Sequence, residues 1–249
     1  MALNPFFFGE SGKQLFGMYD PATIGGSRGT VICQPWGQEY LRAHLSVRHL
    51  ARLLARNGVH SLRFDYYGSG DSAGAGRDGS VEQWQQDVEA AMDELKELAD
   101  VRRVGLVGLR LGAALAVSNA ARRKDVEKLV LWDPIFDGTR YVNELESMGA
   151  QVEGDGALQV RGFLLTESLR RELAQVTLAD FQQDLPPTLI VSTIGEDSYA
   201  PLEDALNAAG VDVRTVCRPG PRVWDDGAEF AAAGMPVAAL DEIVTWTTA

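Results

Sequence analysis

Residues 107–113 have the sequence VGLRLGA, in which one glycine lies two residues before Arg110 and another lies two residues after it. An apolar run from Val104 to Gly108 leads into this segment, and a helical pattern of small residues from Leu111 to Arg122 follows it. Glycines at this spacing relieve crowding at a sharp turn between a strand and a helix. The segment therefore predicts a tight strand-to-helix turn that presents the side chain of residue 110.

Strand-like apolar runs and helical patterns alternate on both sides of this turn. The apolar runs are Thr30 to Gln34, His60 to Asp65, Val104 to Gly108, Lys128 to Trp132, Thr188 to Thr193 and Val211 to Cys217. The helical patterns are Leu41 to Arg56, a face from Val81 to Leu95 after the N-cap Ser80, Leu111 to Arg122, the region of Leu202 to Leu206, and Pro236 to Trp246. Strands with little polar alternation, separated by helices, predict an α/β fold with a mostly parallel central sheet covered on both faces.

The chain is expected to form one domain over residues 1–249, because its length suits one large core and it has no internal repeat or low-complexity linker. A hairpin is predicted at the start, from Pro5 to Gly9 and from Gln14 to Tyr19. The alternation stops over residues 138–186, where helical patches such as Thr166 to Gln175 remain. We interpret this insertion as a lid over a pocket; a pair of surface helices is the alternative.

The composition argues against several classes of protein. The chain has 23 Lys and Arg against 35 Asp and Glu, a net charge of -12, which disfavours a nucleic-acid binder. No apolar run approaches the roughly 20 residues of a membrane span, and the start has no secretion signal, so no membrane partner and a cytoplasmic location are expected. Metal-ligand spacings and phosphate-binding glycine loops are missing, so neither a metal nor a cofactor is predicted.

Three segments together resemble the α/β-hydrolase superfamily, particularly its serine-aminopeptidase-like and acyl-esterase-like branches. They are PWGQ at residues 35–38, RFDYYGSGDS at residues 63–72 and the turn at residues 107–113. The resemblance covers nearly the whole chain and implies an α/β-hydrolase fold with a small helical lid insertion. It also implies an oxyanion hole made by backbone amides near Trp36 and at Leu111.

The resemblance implies where a Ser-His-Asp triad would lie. The nucleophile position corresponds to Arg110, whose guanidinium stays protonated and cannot attack a carbonyl carbon. The acid is expected after the strand that ends near Thr193, at Asp197 or Glu196, and the histidine within residues 218–229. That last segment contains no histidine; the three in the chain are His44, His49 and His60. Ordinary Ser-His-Asp hydrolysis is therefore not expected.

Two interpretations of Arg110 are open. At a helix N-terminus beside oxyanion amides, its guanidinium would favour a carboxylate, phosphate or other oxyanion of a ligand. Alternatively it forms an internal ion pair, with Asp133, Glu39 or Asp197 as the partner. Glu39 and His44, at the start of the first large helix, would act as acid and base, or would be a capping carboxylate and a surface histidine.

Three functions follow from these residues. The first is an atypical, non-hydrolytic enzyme that uses Arg110 with Glu39, Asp133 or His44 for acyl, ester or thioester handling in a biosynthetic pathway. The second is a non-catalytic binding or accessory protein. The third is weak hydrolysis by water activated by Asp197 or Glu39. In each case the expected partner is a small anionic or acyl-containing molecule, and a homo-oligomer is left open.

Overall fold

The computed structural model describes residues 4–148, 151–152, 156–225 and 234–249. Its strands are β1 (Asn4–Phe8), β2 (Leu15–Asp20), β3 (Arg28–Cys33), β4 (Val59–Phe64), β5 (Val104–Leu109), β6 (Val126–Trp132), β7 (Gln151–Val152), β8 (Leu158–Val160), β9 (Phe163–Leu165), β10 (Thr188–Ser192) and β11 (Val213–Cys217). Its α-helices are α1 (Gln38–Arg56), α2 (Val81–Ala99), α3 (Leu111–Arg122), α4 (Gly138–Ser147), α5 (Glu167–Ala174), α6 (Ala200–Ala208) and α7 (Val237–Thr248).

Eight strands form one sheet in the order β1-β2-β4-β3-β5-β6-β10-β11. The first hairpin joins it antiparallel through β2 and β4, and the pairs from β4 to β11 are parallel. Parallel pairing requires crossover connections, which the helices supply. The predicted hairpin and the mostly parallel sheet are therefore both confirmed.

The sheet has a separate apolar core on each face. Helices α1 and α7 cover one face, where Leu50 and Leu240 pack with Trp132. Helices α2, α3 and α6 cover the other, where Trp84 and Leu115 are almost fully buried. Because the strands are buried on both faces, their sequences lack polar alternation, as the apolar runs indicated.

Element boundaries differ from the expected ones by a few residues. Helix α1 begins at Gln38 rather than Leu41, because Gly37 turns the chain at a φ of 69° and lets the helix start before its first apolar residue. The predicted N-cap Ser80 accepts a hydrogen bond from the amide of Gln83 at 3.1 Å. Apolar periodicity locates the body of an element better than its ends.

The insertion over residues 138–186 lies between β6 and β10 and contains more than helices. Helices α4 and α5 pack on each other, and between them β7, β8 and β9 form a small antiparallel sheet that the sequence analysis did not predict. These strands have two or three residues, too few for a recognisable alternation. That the insertion closes over a pocket stays a prediction.

Within the described ranges, no helix is both long enough and apolar enough to cross a bilayer.

Candidate functional site

The site begins at the turn between β5 and α3. Arg110 is its single connecting residue, with φ 55° and ψ -121°, in a region that side-chain-bearing residues rarely occupy. A Cβ on Gly108 would overlap the backbone of Ala113, and one on Gly112 would overlap the carbonyl oxygen of Cys33. The two glycines therefore allow the close approach that the turn requires, as their spacing indicated.

The side chain of Arg110 is buried and pairs with two carboxylates. Its Nε donates to Glu39 Oε1 at 2.8 Å, and its Nη2 donates to Glu144 Oε2 at 3.3 Å. The side chains of Arg110 and Glu39 are 7% and 2% exposed, whereas that of Glu144 is 39% exposed. Glu39 is thus an interior partner, and Glu144 reaches Arg110 from the surface of helix α4.

Burial dominates the electrostatics of this pair. It raises the pKa of Glu39, and the charge of Arg110 and hydrogen bonds from Arg110 and Tyr141 oppose that rise. Burial alone would lower the pKa of Arg110, but the negative charge of Glu39 raises it above its ordinary value. Arg110 is therefore a permanent cation at this position.

Two aromatic rings enclose the guanidinium. The Cζ atom of Arg110 lies 3.9 Å from the centroid of a Trp224 ring and 5.6 Å from that of Tyr141. The first distance is that of a close cation-π contact. The hydroxyl of Tyr141 also donates to Glu39 Oε2 at 3.1 Å, so the same tyrosine contacts both members of the ion pair.

Asp133 follows β6 and is fully buried beside Trp224. Its Oδ1 accepts from the amide of Thr193 at 2.8 Å, and its Oδ2 accepts from Thr193 Oγ1 at 2.5 Å and from Trp224 Nε1 at 2.9 Å. Burial raises the pKa of Asp133, and these donors oppose the rise. Trp224 consequently contacts both residues. Its ring packs on the guanidinium of Arg110, and its indole N–H donates to Asp133.

Of the residues singled out in the sequence, Glu39 and Asp133 lie with Arg110, and two others lie apart. Asp197 is exposed in the turn before α6, and within the described chain the hydrogen bonds of Arg110 go to Glu39 and Glu144 instead. His44 is exposed on α1, with its ring against Tyr40 at a centroid distance of 6.4 Å. Glu39 is thus the ion-pair partner, and acid-base roles for Asp197 and His44 stay predictions.

The two residues expected to form an oxyanion hole, Trp36 and Leu111, are both buried. Trp36 packs against Trp84 and Phe163, at centroid distances of 6.2 and 6.0 Å. Leu111 is the first residue of α3, so its amide has no acceptor within the helix. That this amide binds an oxyanion, as the resemblance implies, stays a prediction.

A cavity of about 110 Å3 lies beside Arg110. Its lining includes Arg110, Ile135, Phe136, Arg140, Glu144 and Tyr199. Pockets for drug-sized ligands have roughly 300–1,000 Å3. The space therefore suits a short acyl chain or a compact acid.

Sequence reasoning missed Trp224, Tyr141 and Glu144. Trp224 lies in the segment that was searched for a histidine, so a search for any ring with an N–H donor would have found it. Tyr141 and Glu144 are three residues apart on α4, a spacing that puts both on one helix face. Their direction toward Arg110 depends on how α4 packs, which the sequence does not show.

In the part of the chain that the structure describes, no three His, Cys, Asp or Glu side chains are grouped to hold a metal ion.

The parallel sheet and the strained turn at Arg110 define an α/β-hydrolase fold. The family model for serine aminopeptidase, S33, matches residues 27–184, which is more than half of the chain. The chain belongs to this family. No curated protein sequence matches it significantly.

Solved structures agree on the fold. Est1E from Butyrivibrio proteoclasticus with ferulic acid bound has a TM-score of 0.71 and 17% identity, over 98% of this chain and 96% of that one. The esterase domain of a Rhodothermus marinus protein has a TM-score of 0.68 and 18% identity, over 100% of this chain and 98% of that one. An alpha-beta serine hydrolase homologue from Coxiella burnetii has a TM-score of 0.57 and 18% identity, over 100% of this chain and 97% of that one. At these identities the likeness concerns the fold alone.

Proposed function

We propose that this chain is a non-hydrolytic member of its family that binds a small anionic or acyl-containing molecule at Arg110. The observation that carries the proposal is the link from Arg110 through Trp224 to Asp133. Along the chain the order is Arg110, Asp133, Trp224. This matches the order nucleophile, acid, base of an α/β-hydrolase triad. Arginine offers no nucleophile, and the indole N–H donates a hydrogen bond but accepts no proton.

The contacts of Arg110 support an anionic ligand. Glu39 neutralises Arg110 in the interior, so the longer contact to Glu144 is the exchangeable one. Glu144 Oε1 also accepts from Arg140 Nε at 3.0 Å, which places its carboxylate between two guanidinium groups. A ligand carboxylate in the same place would keep Arg110 paired while Glu144 moves to solvent.

The size of the cavity and one related structure support an acyl-containing ligand. A cavity of about 110 Å3 with apolar walls at Ile135 and Phe136 accepts a short chain attached to that carboxylate. Est1E binds ferulic acid, so a protein of this fold holds a carboxylic acid. The comparison with Est1E rests on the shared fold alone. A place in a biosynthetic pathway stays part of the proposal.

A hydrolysis panel of esters, thioesters and aminoacyl amides tests the absence of hydrolysis. We expect the wild type to match buffer alone. The triple variant Arg110→Ser/Glu39→Gln/Trp224→His should gain measurable hydrolysis, because it supplies nucleophile and base beside Asp133 and leaves no buried carboxylate unpaired. The matched control Arg110→Ser/Glu39→Gln/Trp224→Phe lacks the base and should gain none. Wild-type turnover that Asp133→Asn abolishes would contradict the proposal.

A further inference from the structure

A second polar cavity lies on the face of the sheet that α1 covers, away from Arg110. It has a volume of about 220 Å3, and its polar lining includes Tyr40, His44, Arg48, Arg63, Asp65 and Asp71. Arg63 comes from β4, and strand β3 separates β4 from β5, the strand that leads to Arg110. Among the residues that the structure describes, the two cavities share no lining residue.

Arg63 is a buried cation whose ion pair with Asp20 is long. It is 5% exposed, and the distance from its Nε to Asp20 Oδ2 is 3.6 Å, too long for a hydrogen bond. Within the described residues, neither of these two atoms has a hydrogen-bond partner, and neither does the buried Nε of Arg48. Asp20 therefore neutralises Arg63 without a close hydrogen bond to its Nε, and the guanidinium keeps N–H donors for a further acceptor in the cavity.

In the described part of the chain, the two carboxylates that line the cavity, Asp65 and Asp71, form no ion pair with Arg63. Asp65 Oδ1 accepts from the hydroxyl of Tyr40 at 2.7 Å, and its Oδ2 accepts from the amide of Asp71 at 3.0 Å. The side chain of Asp71 is exposed. Asp65 is therefore engaged in its own turn, and Arg48 and Arg63 face the cavity.

We propose that this cavity binds a compact molecule through a carboxylate or phosphate group held between Arg48 and Arg63, with His44 at the entrance. An anion there would accept from both guanidinium groups with charge-assisted hydrogen bonds. The volume is below that of drug-sized sites, so the ligand is small.

The positive charges around the cavity repel one another. Burial lowers the pKa of Arg63, Asp20 opposes the decrease, and the charge of Arg48 adds to it. Burial also lowers the pKa of His44, with Arg63 and Arg48 acting in the same direction and Asp65 opposing. A bound oxyanion would relieve the repulsion among these groups.

Titration of the full chain with inorganic phosphate and, separately, with malonate tests the proposal at constant ionic strength. The signal is the nitrogen-proton resonance of the Arg63 Nε group. We expect a saturable shift with at least one probe, and the stronger probe distinguishes a phosphate ligand from a carboxylate ligand. Arg48→Met should weaken that binding roughly tenfold or more, since it removes one charge-assisted partner.

Two further variants keep the test decisive. Arg63→Met/Asp20→Asn removes both buried charges together, so the fold loses no single partner, and it should abolish saturable binding. Glu144→Gln changes the Arg110 site and should leave the Arg63 response unchanged, which separates this proposal from the proposed function. A shift that rises linearly with both probes, or saturable binding that Arg48→Met leaves unchanged, overturns the proposal.

Discussion

Trp224 donates its indole N–H to Asp133 at 2.9 Å, although 91 positions of the chain separate the two residues. In a Ser-His-Asp site, histidine donates to the acid with one ring nitrogen and accepts the nucleophile's proton with the other. Tryptophan can make the first contact only. Trp224 therefore supplies a hydrogen bond to the carboxylate of Asp133, as a histidine would, but has no ring nitrogen that could accept a proton.

Loss of this hydrogen bond should destabilise the fold. We expect Trp224→Phe to lower the free energy of unfolding by about 1–3 kcal/mol, because a buried carboxylate loses a donor while a ring over Arg110 remains. Urea denaturation measures the change. Trp246→Phe is the matched control, since the indole nitrogen of Trp246 has no hydrogen-bond partner in the described part of the chain. Equal losses in the two variants would argue against a role for the Asp133 contact.

The buried ion pair should show strong coupling. Arg110→Met leaves Glu39 buried without its cation, and we expect a loss of roughly 3–5 kcal/mol in the free energy of unfolding. Glu39→Gln should cost a comparable amount for the converse reason. The double variant should lose much less than the sum of the two, and a double-mutant cycle from urea denaturation gives the coupling. Additive losses would be incompatible with a specific Arg110–Glu39 pair.

Release of Arg110 from its surface partner should improve anion binding. We expect Glu144→Gln to bind propionate severalfold more tightly than the wild type, because the carboxylate of Glu144 no longer competes for Arg110. Calorimetric titration measures the affinity. Glu146→Gln is the control, because Glu146 lies near the end of the same helix and pairs with Arg170 instead. The same gain in both variants would indicate a general effect of charge.

Asp87 should make stability depend on pH. Burial raises its pKa from 3.8 to about 6, although Tyr67 N and Gln83 Nε2 donate to it at 2.8 and 2.9 Å. The folded state thus holds this proton more tightly than the unfolded state, so stability is highest below the unfolded pKa and falls as the pH rises through about 6. The Asp87→Asn variant should lack this decrease, which is on the order of 1–3 kcal/mol. Urea denaturation at pH values across this window tests it, and parallel curves for the two proteins would refute it.

The glycines of the turn should not tolerate a side chain. We expect Gly112→Ala to prevent folding or to lower the free energy of unfolding by more than about 3 kcal/mol, because its Cβ would overlap the carbonyl oxygen of Cys33. Gly25→Ala is the control, since no atom lies within 4 Å of the corresponding Cβ. Circular dichroism and thermal unfolding distinguish the two. A stable Gly112→Ala protein would show that the backbone of this turn can shift.

The fold was predictable because the strands are buried on both faces. Runs such as Lys128 to Trp132 have no other simple interpretation between two helices, and they identify β6 within a few residues. The three short strands of the insertion were not predictable, because two or three residues carry no period. The periodicity of apolar residues therefore predicts the long strands and helices but not strands of two or three residues.

The site was predictable at the turn and less so around it. Arg110 and Glu39 lie in or just after recognisable segments, whereas Trp224 lies in a segment where the resemblance implies a histidine. The position of Asp133 depends on the adjacency of β6 to β5, which chain order alone does not fix. The length of the ion pair between Arg63 and Asp20 depends on how β2 and β4 pack, and no sequence pattern gives such a distance.

The positive φ of Arg110 does not depend on the side chain at that position, since Gly108 and Gly112 make the turn. Any residue introduced there would project into the same place, so a saturation library at this codon would compare functional groups at one fixed location. The buried carboxylate of Glu39 restricts the evolutionary route, however. A change from arginine to a neutral residue leaves Glu39 buried without its cation, so we expect replacements at position 110 to require a coordinated change at Glu39.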